Sequence, residues 1–593
     1  MKQFFKFMFA SFAGTILTLI LLLIIFAGMM ASLANLASKE EVVIKPHTIL
    51  YINWKTPITD RASQNPFDGF DFNTLRAQKP VGLNEILANL DKAKNDPNID
   101  GIFLDMGSIP AGLATTEEIR NKLAEFKKSG KFIVSFANNY DQKAYYLASL
   151  SNKIFVNPQG TVLLKGLSAQ VMFLKNLMDK LDIKAQIIRG PDNKFKSAVE
   201  PLLYDKMSAA NREQMKALLD SFWGQILQSL YDSRGISVKE LNQLADNLTI
   251  SNAKQAFKYH LVDQIAYRDQ VLDSLKKLTD VPMDEKLNVV TFNKYTHAKV
   301  GTKPVKISRN KIAVIYALGD IVEGKGDENT IGSITLAKAI REARTDNRVK
   351  AIVMRVNSPG GDALASDVIR REVELAGKAK PFIVSMGDLA ASGGYWISTN
   401  ANYIFADPTT ITGSIGVFGI IPNFQKFMSN KLGITFDKVM TNKNSDFIDV
   451  MSPLNELQKQ RLNEGITSIY DDFTALVART RHLRQTYVDS IAKGRVWSGS
   501  EAIKLGLVDK LGGLQDAIAY AAKKADLGKD YRIVDYPMRK EFFQQLVDEL
   551  SGNAQTRIIN SALGPWKIYL NEIKSVQKMK GVQARLPFVM QVQ

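Results

Sequence analysis

Short apolar runs alternate with amphipathic segments through most of the chain. Runs of five or six apolar residues are typical of buried strands, and apolar positions three and four apart are typical of helices that face a core. Strands separated by helices predict a parallel sheet with right-handed crossovers and two buried faces. The sequence therefore predicts an α/β fold. The predicted strands are 101–106, 132–136, 351–356 and 382–386, and the predicted helices are 117–128, 209–231, 366–378 and 454–478.

This pattern occurs twice, with an offset of 250 positions. Residues 96–105 align without gaps with 346–355, and residues 152–158 align with 402–408. A unit that recurs at a fixed spacing indicates a repeat architecture. We expect a first repeat over 47–293, a basic linker over 294–310, a second repeat over 311–535, and a tail over 536–593 with helices at 542–550 and 567–579.

A long apolar segment lies at the N-terminus. Residues 7–38 contain no charged side chain. A membrane-spanning helix needs about 20 apolar residues, whereas the apolar core of a cleavable signal has about 7–15. The length favours an uncleaved anchor over residues 7–30, and cleavage after Ala37 is the alternative. Lysines precede the segment, so the positive-inside rule predicts that residues 1–6 are cytoplasmic and that the rest lies across the membrane.

Composition narrows the possible chemistry. At 593 residues the chain is too long for one core, because single cores stop growing near 250–300 residues, as a rough limit. The formal net charge is +17, but the lysines are scattered and no nucleic-acid motif occurs, so we expect a solvated basic surface and no nucleic-acid partner. The absence of cysteine excludes disulfides and a thiolate nucleophile. The four histidines are far apart in sequence and favour neither a metal site nor a Ser–His–Asp triad.

The two repeats differ where chemistry is expected. The second repeat contains Asn-Ser-Pro-Gly-Gly at 357–361 and Ala-Ser-Gly-Gly-Tyr-Trp at 391–396. Paired glycines let backbone N–H groups approach a ligand, although they also form ordinary turns. At the offset of 250, Ser392 corresponds to Gln142, so the repeated fold does not itself require a serine there. Ser392 is therefore a candidate nucleophile, with an ordinary helix N-cap as the alternative.

A serine nucleophile needs a base, and no histidine is near Ser392 in sequence. A lysine can serve where burial lowers its pKa. Lys196 lies in the first-repeat segment Phe-Lys-Ser-Ala-Val-Glu-Pro at 195–201, and it aligns with Phe447 or Ile448 of the second repeat. Each repeat would thus supply half of the site. The alternative for any single lysine is a solvated surface position.

At these motifs the chain resembles the signal peptide peptidase A family, also called protease IV, in its long tandem-repeat form. The resemblance covers nearly the whole chain and rests on residues 195–201, 357–361, 391–396 and 412–417. It implies two tandem crotonase/Clp-protease-like repeats after one transmembrane helix. It also implies a Ser–Lys dyad with Ser392 as nucleophile and Lys196 as general base. The same comparison assigns supporting roles to the oxyanion donors near Gly361 and Gly393, and to Ser414 as a partner of the lysine.

The resemblance further implies a serine endopeptidase of the bacterial inner membrane. It would hydrolyse cleaved signal peptides and other apolar peptides through an acyl-enzyme, without a metal or other cofactor. Its expected partners are the peptide substrates, membrane lipid around the N-terminal helix, and further copies of itself in a homotetramer. Two alternatives are an enzyme of the same fold that acts on acyl-thioesters and a non-catalytic membrane scaffold. Coenzyme A binding and fluorophosphonate labelling would distinguish them.

Overall fold

The chain begins with a long apolar helix. The computed structural model describes residues 2–37, 42–62, 70–71, 76–77, 80–190, 193–298, 308–327, 329–537 and 581–585. Helix α1 (Lys2–Ala37) contains the segment Gln3–Leu21, which is long and apolar enough to cross a membrane. No other part of the described chain covers that segment. The apolar segment predicted at 7–30 thus lies within a single helix, which is exposed over Gln3–Leu21.

The first repeat alternates strands with helices around a parallel sheet. Its strands are β1 (Thr48–Ile52), β2 (Ile58–Thr59), β3 (Phe70–Asp71), β4 (Arg76–Ala77), β5 (Val81–Gly82), β6 (Ile99–Asp105), β7 (Phe132–Ala137), β8 (Lys153–Val156), β9 (Lys184–Arg189), β10 (Gln264–Ile265) and β11 (Asn288–Thr291). Its helices are α2 (Leu83–Asn95), α3 (Leu113–Lys127), α4 (Gln142–Ala148), α5 (Lys175–Lys180), α6 (Glu200–Leu203), α7 (Ala209–Arg234), α8 (Val238–Asp246), α9 (Ala253–Lys258), α10 (Arg268–Leu278) and α11 (Phe292–Thr296). The main sheet has the order β10-β8-β7-β6-β1-β11.

The second repeat builds the same arrangement. Its strands are β12 (Lys311–Leu318), β13 (Asp320–Val322), β14 (Thr330–Gly332), β15 (Val349–Ser358), β16 (Gly360–Asp362), β17 (Phe382–Ala391), β18 (Tyr403–Ala406), β19 (Ile411–Gly413), β20 (Phe418–Asn423), β21 (Val496–Ser498), β22 (Lys510–Leu511) and β23 (Arg532–Tyr536). Its helices are α12 (Ser333–Thr345), α13 (Ala363–Ala379), α14 (Gly393–Ser398), α15 (Gln425–Leu432), α16 (Glu456–Arg481), α17 (Gln485–Ile491), α18 (Gly499–Ala502) and α19 (Leu514–Lys524). Strands β22-β18-β17-β15-β12-β23 pair in parallel, in the order of the first-repeat sheet. The predicted α/β fold with two tandem repeats is confirmed.

Predicted elements agree with the structure, but several boundaries differ. The strand predicted at 382–386 continues as β17 to Ala391, because residues 389–391 pair with β19. Asp388, within this extension, contacts Thr115 of the first repeat. The helix predicted from residue 117 begins at Leu113. Both differences arise where one repeat contacts the other, a contact that local sequence patterns do not report.

The two repeats share a sheet. Strand β9 of the first repeat pairs antiparallel with β20 of the second, from Lys184 opposite Asn423 to Arg189 opposite Phe418. Because of this pairing, the segment that precedes Lys196 in the chain is hydrogen-bonded directly to the second repeat. A hydrophobic cluster also spans the boundary, since Ala391 and Val496 pack with side chains of the first repeat such as Tyr145.

The segments that flank the second repeat are only partly described. Helix α11 covers the start of the predicted linker, and its Tyr295 is buried against the first repeat. The tail helices predicted at 542–550 and 567–579 lie outside the described residues. The tail contributes β24 (Gly581–Arg585), which pairs antiparallel with both β16 and β20 and so completes the sheet shared by the repeats.

Candidate active site

Ser392 lies at the turn between β17 and α14, fully buried. Its backbone has φ 57° and ψ −113°, a conformation that costs a residue with a side chain about 1–3 kcal/mol. Two backbone hydrogen bonds hold it there: Ser392 N donates to Gly413 O at 2.8 Å, and Trp396 N donates to Ser392 O at 2.8 Å. The Ser392 hydroxyl makes no capping bond to α14. The strained turn therefore presents the hydroxyl away from the helix, which argues against the N-cap interpretation.

Lys196 is positioned by contacts from both repeats. It precedes a short 3₁₀ turn, Ser197–Val199, and Phe195 N donates to Lys493 O at 3.1 Å. Gln214 of α7 donates through Nε2 to Phe195 O at 3.0 Å and accepts from Val496 N at 3.3 Å. The loop that carries the lysine is thus held between a first-repeat helix and a second-repeat strand.

A glycine of the second repeat makes room for this loop. Gly494 has φ 77°, and a Cβ atom there would lie 2.5 Å from Lys196 Cβ. Any other residue would force the lysine backbone to move. Sequence reasoning missed both Gly494 and Gln214, because their contacts with the lysine loop depend on how the two repeats pack and no local spacing signals them.

The lysine amine meets the serine hydroxyl across the repeat boundary. Lys196 Nζ lies 2.7 Å from Ser392 Oγ, and it donates to Ser414 Oγ at 2.9 Å and to Ser414 O at 3.0 Å. Ser414 itself has φ 50°, so both serines around the amine depart from ordinary backbone conformations. A neutral amine has two hydrogens and one lone pair, which can satisfy Ser414 while the lone pair faces Ser392.

No negatively charged side chain among the described residues pairs with the Lys196 amine. Lys196 is fully buried, and this burial lowers its pKa well below the ordinary value. Among the residues that the structure describes, no carboxylate lies within ion-pair distance of Nζ, so nothing opposes the effect of burial. The described residues also contain no group of three or more His, Asp or Glu side chains that could hold a metal ion. The site therefore favours an uncharged amine beside a hydroxyl.

The predicted oxyanion residues lie on neighbouring segments of the second repeat, β16 and α14. Gly393 begins α14, and a Cβ atom on Gly393 would lie 3.1 Å from Gly360 Cα, so the two glycine backbones are closely packed. Gly361 has φ 156° and pairs with Ile321 on one side and Ala584 on the other. The structure thus places Gly360, the neighbour of Gly361, against Gly393. The role of Gly361 and Gly393 as oxyanion donors stays a prediction.

Known proteins resemble this chain over most of its length. The model of peptidase family S49 matches residues 125–282 and 374–528, one segment in each repeat. The chain is 36% identical over 554 residues to Protease 4 of Salmonella typhi, covering 91% of this chain and 88% of that protein. It is 35% identical over 482 residues to Protease 4 of Haemophilus influenzae, covering 79% and 77%. The chain belongs to peptidase family S49.

As a member of family S49 the chain is a serine protease, and the family predicted from the sequence motifs is confirmed. The two S49 segments contain Lys196 in one case and Ser392 and Ser414 in the other. Among solved structures, a ClpP1 point mutant from Listeria monocytogenes matches 35% of this chain and 94% of its own at 16% identity, with a TM-score of 0.24. A likeness at that level carries no argument about the site.

Proposed function

We propose that this S49 serine protease is a membrane-anchored endopeptidase with Ser392 as nucleophile and Lys196 as general base. The observation that carries the proposal is the 2.7 Å contact between Lys196 Nζ and Ser392 Oγ in a fully buried setting. A base must reach the proton it removes, and its pKa must lie near the working pH. The burial of the amine supports the second condition, and the distance supports the first.

The proposed reaction proceeds through an acyl-enzyme. The neutral Lys196 amine removes the hydroxyl proton as Ser392 Oγ attacks the peptide carbonyl, so the new C–O bond forms and the amine becomes an ammonium. The tetrahedral intermediate then collapses, and the lysine gives its proton to the leaving amine as the C–N bond breaks. Water attacks the resulting ester by the same route and regenerates the serine.

Charge on the carbonyl oxygen needs donors. The backbone N–H of Gly393 and an N–H near Gly361 are the proposed oxyanion donors, each typically worth about 3–4 kcal/mol in the transition state. Ser414 accepts hydrogen bonds from the lysine through two atoms, which limits the rotation of the amine and keeps its lone pair aimed at Ser392. We propose that Ser414 orients the base.

The membrane anchor is supported by α1. Its 36 residues correspond to about 54 Å of helix, longer than the roughly 30 Å apolar core of a bilayer. Large apolar side chains such as Phe7, Phe9 and Leu17 are exposed along it. We propose a cytoplasmic N-terminus and a catalytic body on the other side of the bacterial inner membrane, where cleaved signal peptides and other apolar peptides accumulate.

Assembly of several copies stays a prediction of the sequence resemblance. Exposed apolar side chains on the segment after α15, including Ile434, Phe436 and Val439, give a surface that a neighbouring copy would bury. A Phe436→Glu change is expected to lower the mass of the detergent-solubilised particle in light scattering from that of a tetramer. An unchanged particle mass would remove this surface from the interface.

Cleavage of a synthetic apolar signal peptide by the full-length protein tests the dyad. Ser392→Ala and Lys196→Ala are each expected to lower kcat/KM by at least about a thousandfold. Ser398→Ala is the matched serine control, since Ser398 is buried on α14 and its hydroxyl bonds only Gly394 O of the same helix among the described residues. Lys194→Ala is the matched lysine control at an exposed position. Near-normal turnover in either dyad variant would remove that residue from the mechanism.

A further inference from the structure

Helix α3 of the first repeat lacks a capping side chain of its own. Its N-cap is Gly112, and a Cβ atom there would lie 2.1–2.3 Å from the carboxyl group of Asp388 in the second repeat. Thr115 N donates to Asp388 Oδ1 at 3.1 Å, and Thr115 Oγ1 donates to Oδ2 at 2.6 Å. Thr115 is the third residue of the helix, whose N–H an N-cap side chain ordinarily satisfies. A carboxyl group from the other repeat therefore occupies the place of the missing cap.

The second repeat retains the ordinary arrangement. At the offset of 250, Gly112 corresponds to Asp362 and Thr115 corresponds to Ala365. Asp362 is the N-cap of α13, and its Oδ1 accepts from Ala365 N at 2.8 Å. One repeat thus caps the equivalent helix locally, whereas the other receives its cap across the repeat boundary.

The exchange is reciprocal. Glu118, on α3 of the first repeat, accepts from Leu514 N at 2.7 Å at the start of α19 in the second repeat. The N-cap of α19 is Gly513, and a Cβ atom there would lie 2.2 Å from Glu118 Oε2. The fully buried Arg355 of β15 donates to Glu118 and, at 2.6 Å, to Asp60 of the first repeat. Each repeat therefore supplies a carboxyl group to the start of a helix in the other.

We propose that Asp388 is a positioning residue that, by capping α3, holds the strand of the nucleophile against the repeat that carries the base, an inference that rests on the proposed dyad. Asp388 lies on β17, four residues before Ser392. Four residues of a strand span about 13 Å. The capped helix belongs to the repeat of Lys196. Misplacement by about 1 Å can cost a hundredfold in rate, so a fixed relation between the repeats matters for catalysis.

The structure allows the two effects of Asp388 to be separated. Asp388→Ala removes the cap and the link between repeats together. The double variant Gly112→Asp/Asp388→Ala returns a carboxylate to the helix's own N-cap, as in the second repeat, but leaves the link broken. Gly112 has φ −67° and ψ 171°, which an aspartate accepts, and Asp388→Ala removes the three atoms that a new side chain would meet.

A matched control removes a cap elsewhere. Ser237 caps α8 by accepting from Glu240 N, away from the dyad. Ser237→Ala is expected to lower the thermal midpoint of the full-length protein and to leave the pH profile of kcat/KM unchanged. A purely structural role of Asp388 would give the same pattern.

For Asp388→Ala we expect a lower midpoint and a fall in kcat/KM of about tenfold or more. The double variant should recover the midpoint to within about 2 °C of wild type, yet stay within about threefold of the activity of Asp388→Ala. In both, the rising limb of the pH profile should move to higher pH, because looser packing lets water reach the Lys196 amine. The proposal would be overturned if the double variant recovered wild-type kcat/KM together with the thermal midpoint. It would also be overturned if the pH profile of kcat/KM did not move in either variant.

Asp388→Asn keeps an acceptor for Thr115 N and decides the matter where the other variants do not fold. It should retain most of the activity, and a loss as large as that of the alanine variant in a folded protein would count against the capping role. Ser392→Ala tests the dyad separately. That variant should keep the wild-type midpoint without turnover, and turnover in it would refute the dyad whatever Asp388 does.

Discussion

Replacement of Lys196 by methionine should make the folded protein more stable at neutral pH. The side chain is fully buried, and burial lowers its pKa well below the ordinary value, which is about 10.4. Between the folded-state pKa and 10.4 the unfolded chain binds a proton that the folded chain does not. The free energy of unfolding therefore rises with pH in that window, by about 1.4 kcal/mol per pH unit. The destabilisation by Lys196 is largest at low pH and disappears above about pH 10.4.

A base that is neutral at pH 7 would cost the fold about 4–5 kcal/mol there by this relation. Methionine has a similar volume and no ionisable group, so the destabilisation that comes from keeping the amine uncharged is removed. The substitution also leaves the Ser414 acceptors without the amine, which costs about 1–3 kcal/mol at every pH. Lys196→Met should thus be more stable than wild type at pH 7 by a few kcal/mol, and the difference should shrink by about 3 kcal/mol between pH 7 and pH 9.

Urea unfolding followed by pulse proteolysis, at intervals from pH 6 to 9.5 in detergent, measures this difference. The decisive quantity is the slope, against pH, of the difference in the free energy of unfolding between the variant and wild type. The lost hydrogen bonds and the changes in packing do not depend on pH and so do not contribute to this slope. Lys239→Met, at an exposed position of α8, is the control and should show no such slope. A difference that stays constant over pH 6–9 would mean that Lys196 remains charged in the folded protein, and the proposed base would be refuted.

Three further substitutions test two neighbours of the proposed dyad and one buried carboxyl group elsewhere. Ser414→Ala removes an acceptor of Lys196 Nζ, and we expect kcat to fall by about tenfold with little change in KM. An unchanged kcat in steady-state assays would show that Ser414 does not orient the amine. Gly494→Ala places a methyl group 2.5 Å from Lys196 Cβ at φ 77°, so we expect turnover to fall by about a hundredfold, and wild-type activity would contradict the close packing. Burial raises the pKa of Glu117 to about 7, so its contribution to stability is fully present below about pH 4.5 and is lost as pH rises through 7. The thermal midpoint of Glu117→Gln should therefore gain on wild type between pH 5 and pH 7.5, and parallel midpoint curves would show that Glu117 does not titrate in this range.

Much of the fold follows from local pattern. The strand and helix periods are set by neighbouring residues, so the predicted segments 132–136 and 209–231 lie close to the observed β7 and α7. Ser392 can be singled out because the sister repeat has Gln142 at the same place. The 2.7 Å contact with Lys196 cannot be derived from the residues alone, since it depends on the pairing of β9 with β20.

The start of α3 shows where local reasoning fails and how repeats can correct it. A helix with glycine at its N-cap gives no start signal, because the cap comes from Asp388, in the other repeat. Yet Asp388 is the one charged residue of β17, and the position aligned with Gly112 holds an aspartate. A missing cap in one copy together with an unexplained carboxylate in the other is a signal that a comparison of repeats can detect.

The division of the site between two copies has a physical consequence. In the proposed dyad, the uncharged buried Lys196 and the strained Ser392 both destabilise the fold at neutral pH. Neither repeat alone contains the contacts that offset this: the lysine loop is held by Lys493 and Val496 of the second repeat, and β17 is held by Thr115 of the first. The partners of the Lys196 amine, Ser392 and Ser414, belong to the second repeat. The proposed nucleophile and base would therefore become competent in the same step that packs the two halves together.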